Sequence, residues 1–110
     1  MTFTISQSDT YTQAVSVLIP GAKTKNVFDV EFKRLSQSEI DSMLSRIREG
    51  ELSDAEFCHE VMVGWKGVAD ESGELVFSVS NLNALLDVFP VARAIVETYF
   101  GGITGAKQKN

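Results

Sequence analysis

The residues best equipped for chemistry stand side by side: Cys58, His59 and Glu60, with the chain's only cysteine and only histidine next to a carboxylate. Thiolate, imidazole and carboxylate are the parts of a nucleophilic dyad or of a metal site. Their spacing argues against both. The stretch reads as helix, and adjacent helical residues diverge by about 100° instead of converging on one point. A structural zinc site takes four ligands, and no second Cys or His exists to complete one. A Cys–His dyad needs the two side chains to meet across a fold, not to be chain neighbours. The plainer reading is a core cysteine, a small hydrophobe, beside a surface histidine.

The carboxylates give a similar answer. Glu49, Glu51, Asp54 and Glu56 gather around a helix–helix turn, but without the ligand spacing of a calcium loop. Asp54 and Glu56 suit the first turn of a helix, where the peptide dipoles favour negative charge. Asp70 and Glu71 fall in a turn sequence. Gly101-Gly102 and Gly105 follow a helix instead of opening one, so they form no phosphate-binding loop. The chain is therefore expected to be no enzyme and to carry no cofactor and no metal.

Composition narrows the class further. A chain of 110 residues makes one domain. With 44% hydrophobic and 23% charged residues it has material for a core, so global disorder is not expected. The net charge is −5 and no basic stripe is visible. Lys23 and Lys25 lie in a loop, Lys107 and Lys109 in the tail, and Lys33 and Arg34 point to opposite faces of a strand. Nucleic acid is not the expected partner. One cysteine allows no internal disulfide and fits a reducing cytosol. The first residues lack the basic and apolar regions of a signal peptide, and no apolar run nears the roughly 20 residues that span a bilayer. No membrane association is expected.

The elements follow from local patterning. Residues 1–10 are read as a loose N-terminus, with Thr2–Ile5 a candidate short strand. Val15, Val17 and Ile19 share one face of a strand over 14–19. Pro20-Gly21 signals a type II turn, with glycine taking the positive φ. The sequence VFDVEFKRL then alternates cleanly, Phe28, Val30 and Phe32 on one face and Asp29, Glu31 and Lys33 on the other. Two helices follow with the same start. Ser36 with Glu39 and Ser53 with Glu56 form capping boxes, and Leu35 with Ile40 and Leu52 with Phe57 form hydrophobic staples. The first helix carries Ile40, Met43, Leu44 and Ile47 and stops at Gly50. The second carries Phe57, Cys58, Val61, Met62 and Trp65, ending at Gly64 and Gly67, so the pair reads as an αα-hairpin.

A polar junction over 65–78 separates these helices from a third helical region capped by Ser78 or Ser80. There Leu82, Leu85, Leu86, Phe89, Val96 and Phe100 form one stripe. Pro90 either kinks it or starts a separate helix. Gly101-Gly102 is the expected stop, and 103–110 the expected mobile tail. The fold class is α+β: an N-terminal antiparallel β-hairpin followed by three to four α-helices, in a single domain.

Two features suit an interaction surface. Trp65 is either a plug in the core or an interface anchor, since tryptophan is enriched at binding hot spots. In the last helical region, Ala84, Val88, Val91 and Ile95 form a second apolar shoulder beside the main stripe. The apolar arc is then wider than an amphipathic surface helix needs. Either a small domain buries this helix on two sides, or Val88, Val91 and Ile95 stay partly exposed and hold a client or a second subunit.

The order of these features resembles the tail assembly chaperones of long, non-contractile-tailed bacteriophages. The resemblance runs over roughly 15–110. It comprises FDVEFKRLS, the SDAEF helix, the block W-K-G-V-x-D-E-x-G-E-L-x-F-S from Trp65 to Ser78, N-L-x-A-L-L from Asn81, the Pro-broken apolar helix and the basic tail. It implies a non-enzymatic protein of the host cytoplasm, absent from the mature virion. Its partners would be the tape measure protein, which it keeps soluble, and the tail tube protein. A longer form made by ribosomal frameshift and a homo-oligomer are further partners the resemblance allows. The alternative is a virion structural protein, such as a tail completion or head–tail joining component.

Overall fold

A computed structural model describes residues 2–104, with side chains through Gly101. The expected α+β order is present. Strands β1 (Thr10–Val17) and β2 (Asn26–Lys33) form an antiparallel hairpin, followed by α1 (Gln37–Arg48), α2 (Asp54–Val61), β3 (Met62–Lys66), β4 (Ala69–Asp70), β5 (Gly73–Glu74), α3 (Val79–Leu86) and α4 (Val91–Thr104). Residues 2–9 form no strand, so the candidate strand at Thr2–Ile5 is absent. Of the expected tail over 103–110, residues 103 and 104 instead continue α4, and the rest lies outside the described residues.

The hairpin turns at Ile19-Pro20-Gly21-Ala22. Gly21 has φ 91°, and the Ala22 N–H donates to the Ile19 carbonyl at 2.9 Å. Those are the marks of the expected type II turn. Val15, Val17, Phe28, Val30 and Phe32 are buried, while Lys33 is exposed and Asp29 and Glu31 are half-buried on the opposite face.

The sheet has three strands in the order β1-β2-β3. The third corrects the sequence reading, which carried α2 on to Trp65. Helix α2 ends at Val61, and Met62 already has extended backbone, φ −88° and ψ 131°. The register of β3 on β2 slips between Glu31 and Phe32, so Glu31 faces Gly64 and Phe32 faces Met62. Val63 is the extra residue of a β-bulge, and the bulge puts Met62 and Trp65 on the same face three residues apart. A spacing of three is also one helical turn, which is why the pattern reads as helix.

Both helix starts are as expected. Each capping box is complete, with Ser36 Oγ accepting from the Glu39 N–H and Ser53 Oγ from the Glu56 N–H. Helix α1 ends in a Schellman turn. Gly50 has φ 79°, the Glu51 N–H donates to the Arg46 carbonyl at 2.8 Å, and the Gly50 N–H to that of Ile47 at 3.1 Å.

At Pro90 the chain makes two helices, their axes bent by 98°. The Pro90 carbonyl accepts the first α4 hydrogen bond, from the Ala94 N–H at 3.1 Å. Gly101 and Gly102 do not stop α4, which continues to Thr104. Glycine within a helix costs about 1 kcal/mol, and the packed face of α4 outweighs it. That face, Val91, Ile95, Val96 and Tyr99, is buried against β1 and α2. Tyr99 is its hub: its ring stands edge-on to Phe32 at 5.0 Å and to Phe57 at 5.3 Å, and its hydroxyl donates to the Lys33 carbonyl at 3.2 Å.

Candidate functional site

The polar candidates are occupied in structural work. Cys58 is fully buried, and burial, with a smaller contribution from Asp54, pushes its thiol up to about 12, so it stays protonated. His59 points to solvent, where Nε2 meets Asn83 Oδ1 at 2.7 Å. Asp54 pairs with Arg93 at 3.0 Å. The Glu56 carboxylate accepts from the Ser53 N–H at 2.8 Å and is held below the ordinary carboxylate range by that bond. Asp70 Oδ1 accepts from both the N–H and the hydroxyl of Ser72 at 2.8 Å, which shapes the β4–β5 turn. Among the described residues no group of three or more His, Cys, Asp or Glu could hold a metal ion. No single described helix is long and apolar enough to cross a membrane.

Trp65 is partly enclosed by the fold. It is half-buried on β3, its Nε1–H donates to the Leu75 carbonyl at 2.9 Å, and its ring stands edge-on to Phe77 at 5.1 Å. It clamps the far side of the junction onto the sheet.

The apolar shoulder divides. Val91 is 3% exposed and Ile95 0%, so at these two positions the helix is buried and the alternative of an exposed interface shoulder does not hold. The 98° bend turns α4 so that these residues point at the sheet. Val88 lies in the turn before the bend and remains 43% exposed. Phe89, expected on the inward stripe, is instead 75% exposed, because α3 has ended three residues earlier.

Around Val88 the surface is hollowed. One open hollow of about 370 Å³ is bordered by Val17, Ile19, Val27 and Phe28 at the hairpin end, Val68 of the junction, and Leu85 of α3, with Val91 in its wall. A second, of about 440 Å³, runs along the α3–α4 turn past Phe89 and Pro90 to Asp54 and Arg93. A third, of about 210 Å³, lies between the junction and α3. Val88 borders all three. The sequence contained a signal for Val88 but not for Val17, Ile19, Val27 or Leu85, whose patterning only announces a core.

A family model described as phage tail assembly chaperone matches residues 1–110. The chain belongs to that family. Searches of curated proteins and of solved structures found no match. In this tail assembly chaperone, the hollowed apolar surface at Val88 is the feature most suited to binding. It joins the hairpin end, the junction and the α3–α4 turn, and so depends on the whole fold rather than on one element.

Proposed function

We propose that this chaperone binds an apolar helical stretch of the tape measure protein around Val88, keeps it soluble, and hands it to tail tube subunits as they polymerise. It acts by non-covalent binding in the host cytoplasm and leaves before the virion is complete. The observation that carries the reading is the set of open hollows meeting at Val88, in a chain of this family. An amphipathic helix laid in such a groove buries its apolar face and keeps its polar face wet. The carboxylates of Asp70 and Asp87 border the hollows.

Co-expression with the tape measure protein tests this. The wild-type chain should hold the tape measure protein in the soluble fraction and be retained with it on affinity capture. Mass spectrometry of purified virions then separates a chaperone from a structural component. Stoichiometric presence in the mature tail would overturn the proposal in favour of a tail completion or joining protein.

A further inference from the structure

The two edges of the sheet are built differently. Strand β3 is five residues long, carries a bulge and ends on Lys66. Those are the usual devices that keep an edge from pairing with another chain. Strand β1 has none of them. It is eight residues long, TYTQAVSV, with no charge, no proline, no glycine and an unbroken register on β2 from Thr10 to Val17.

The Asp9 carbonyl accepts from the Arg34 N–H at 2.8 Å, which makes Asp9 and Arg34 a hydrogen-bonded pair. Such pairs alternate along an antiparallel ladder. Tyr11, Gln13, Val15 and Val17 therefore bond to β2, and Thr10, Thr12, Ala14 and Ser16 aim their N–H and C=O at the outer edge. Thr10 agrees with this, since its carbonyl is taken from outside by the Ser8 hydroxyl at 2.7 Å. Among the described residues nothing bonds the outward groups of Thr12, Ala14 and Ser16. Their side chains are exposed and small.

We infer that β1 pairs with β1 of a second copy of this chain, antiparallel, about a two-fold axis through Ala14. A two-fold pairing of two such strands places residues of the same face opposite each other. With Ala14 at the axis, Ala14 faces Ala14 of the second copy, and Thr12 faces its Ser16. The outward N–H and C=O groups of Thr12, Ala14 and Ser16 are then all paired. Centring on Gln13 instead would oppose Ser16 to Thr10, whose carbonyl is already occupied. The edge is thus complementary to itself, and its lack of charge removes the repulsion that two like edges would otherwise meet. The result is a six-stranded sheet with the helices of both copies on one side.

The full-length protein tests this by sedimentation across a concentration series, with cysteine cross-linking. The expected mass is twice 12.1 kDa, falling to 12.1 kDa on dilution. Ala14→Lys sets like charges against each other at the axis, and Ala14→Pro removes an outward N–H while sparing the bonds to β2. Both variants should give folded monomers by circular dichroism. Should Ala14→Pro unfold, Ala14→Lys alone decides. In a hydrogen-bonded pair the two Cα atoms lie about 5.5 Å apart, within disulfide reach. Ala14→Cys should therefore cross-link to a covalent dimer under mild oxidation, and Gln13→Cys should not. A wild-type chain that is monomeric at every concentration, an Ala14→Lys variant that stays dimeric, or cross-linking at Gln13→Cys instead would each overturn the inference.

Discussion

Val88 and Val91 are three residues apart, both valine, and should respond oppositely to the same change. Burying a valine fully is worth about 2 kcal/mol. Val88 is 43% exposed, so about half of that already supports the fold and about 1 kcal/mol is left for a client to gain by covering it. Val88→Asp should then lower stability by about 1 kcal/mol. Its effect on binding should be larger, because the client would have to desolvate a carboxylate as well as lose the contact. A combined loss of about 2–3 kcal/mol weakens capture by roughly 30- to 150-fold. Val91 is 3% exposed, and Arg93, the cation nearest in sequence, is engaged by Asp54. An unpaired aspartate there costs about 3–5 kcal/mol, a large part of the roughly 5–15 kcal/mol that holds a domain together. Urea melts of both variants and affinity capture of the tape measure protein check the pair. Val88→Asp should melt near wild type and fail to capture, whereas Val91→Asp should be largely unfolded or lose much of its midpoint. A Val88→Asp variant that captures normally would refute the surface, and a Val91→Asp variant as stable as wild type would refute the packing.

Other expectations are more local. Trp65→Phe leaves the Leu75 carbonyl without its donor and should cost about 1–2 kcal/mol in denaturant melts; an unchanged midpoint would show that the clamp contributes nothing. Glu39 and Glu56 are both held below their ordinary value of 4.5, first by the N–H of Ser36 and of Ser53. The stability they add is present above about pH 4.5 and is lost as pH falls through the lower folded-state values. A Glu39→Gln, Glu56→Gln chain should accordingly lose less stability than wild type over that acid range in pH-dependent melts. Cys58, buried and protonated, should react with a thiol reagent only as fast as the protein unfolds. Rapid labelling of the native chain would contradict its position.

The elements with local signals were legible. Both capping boxes, the Pro20-Gly21 turn and the alternation of β2 depend on residues within a turn of each other, and they read directly from the chain. Strand β3 was not legible, because its bulge gives Met62 and Trp65 the spacing of a helix. Its partner, β2, lies thirty residues away in sequence. The continuation of α4 through Gly101-Gly102 was hidden for a related reason: tertiary packing of Tyr99 outweighs a local stop signal. At the site, the shoulder of Val88, Val91 and Ile95 was visible as a surplus of apolar residues. Which of them faced water depended on the angle of the turn at Pro90, a property that no periodicity carries.

Helix α1 is attached to this framework differently from the others. Of its apolar stripe only Ile40 is buried; Met43, Leu44 and Ile47 remain half-buried, and Ile40 itself lies outside the main core cluster. Its ends, by contrast, are closed by devices internal to the chain, the box at Ser36 and the Schellman turn at Gly50. Its ends are thus fixed locally, while its docking rests on few buried side chains. Such an element belongs to the low end of the range of local opening energies. Its amides should therefore exchange with solvent well before those of α4.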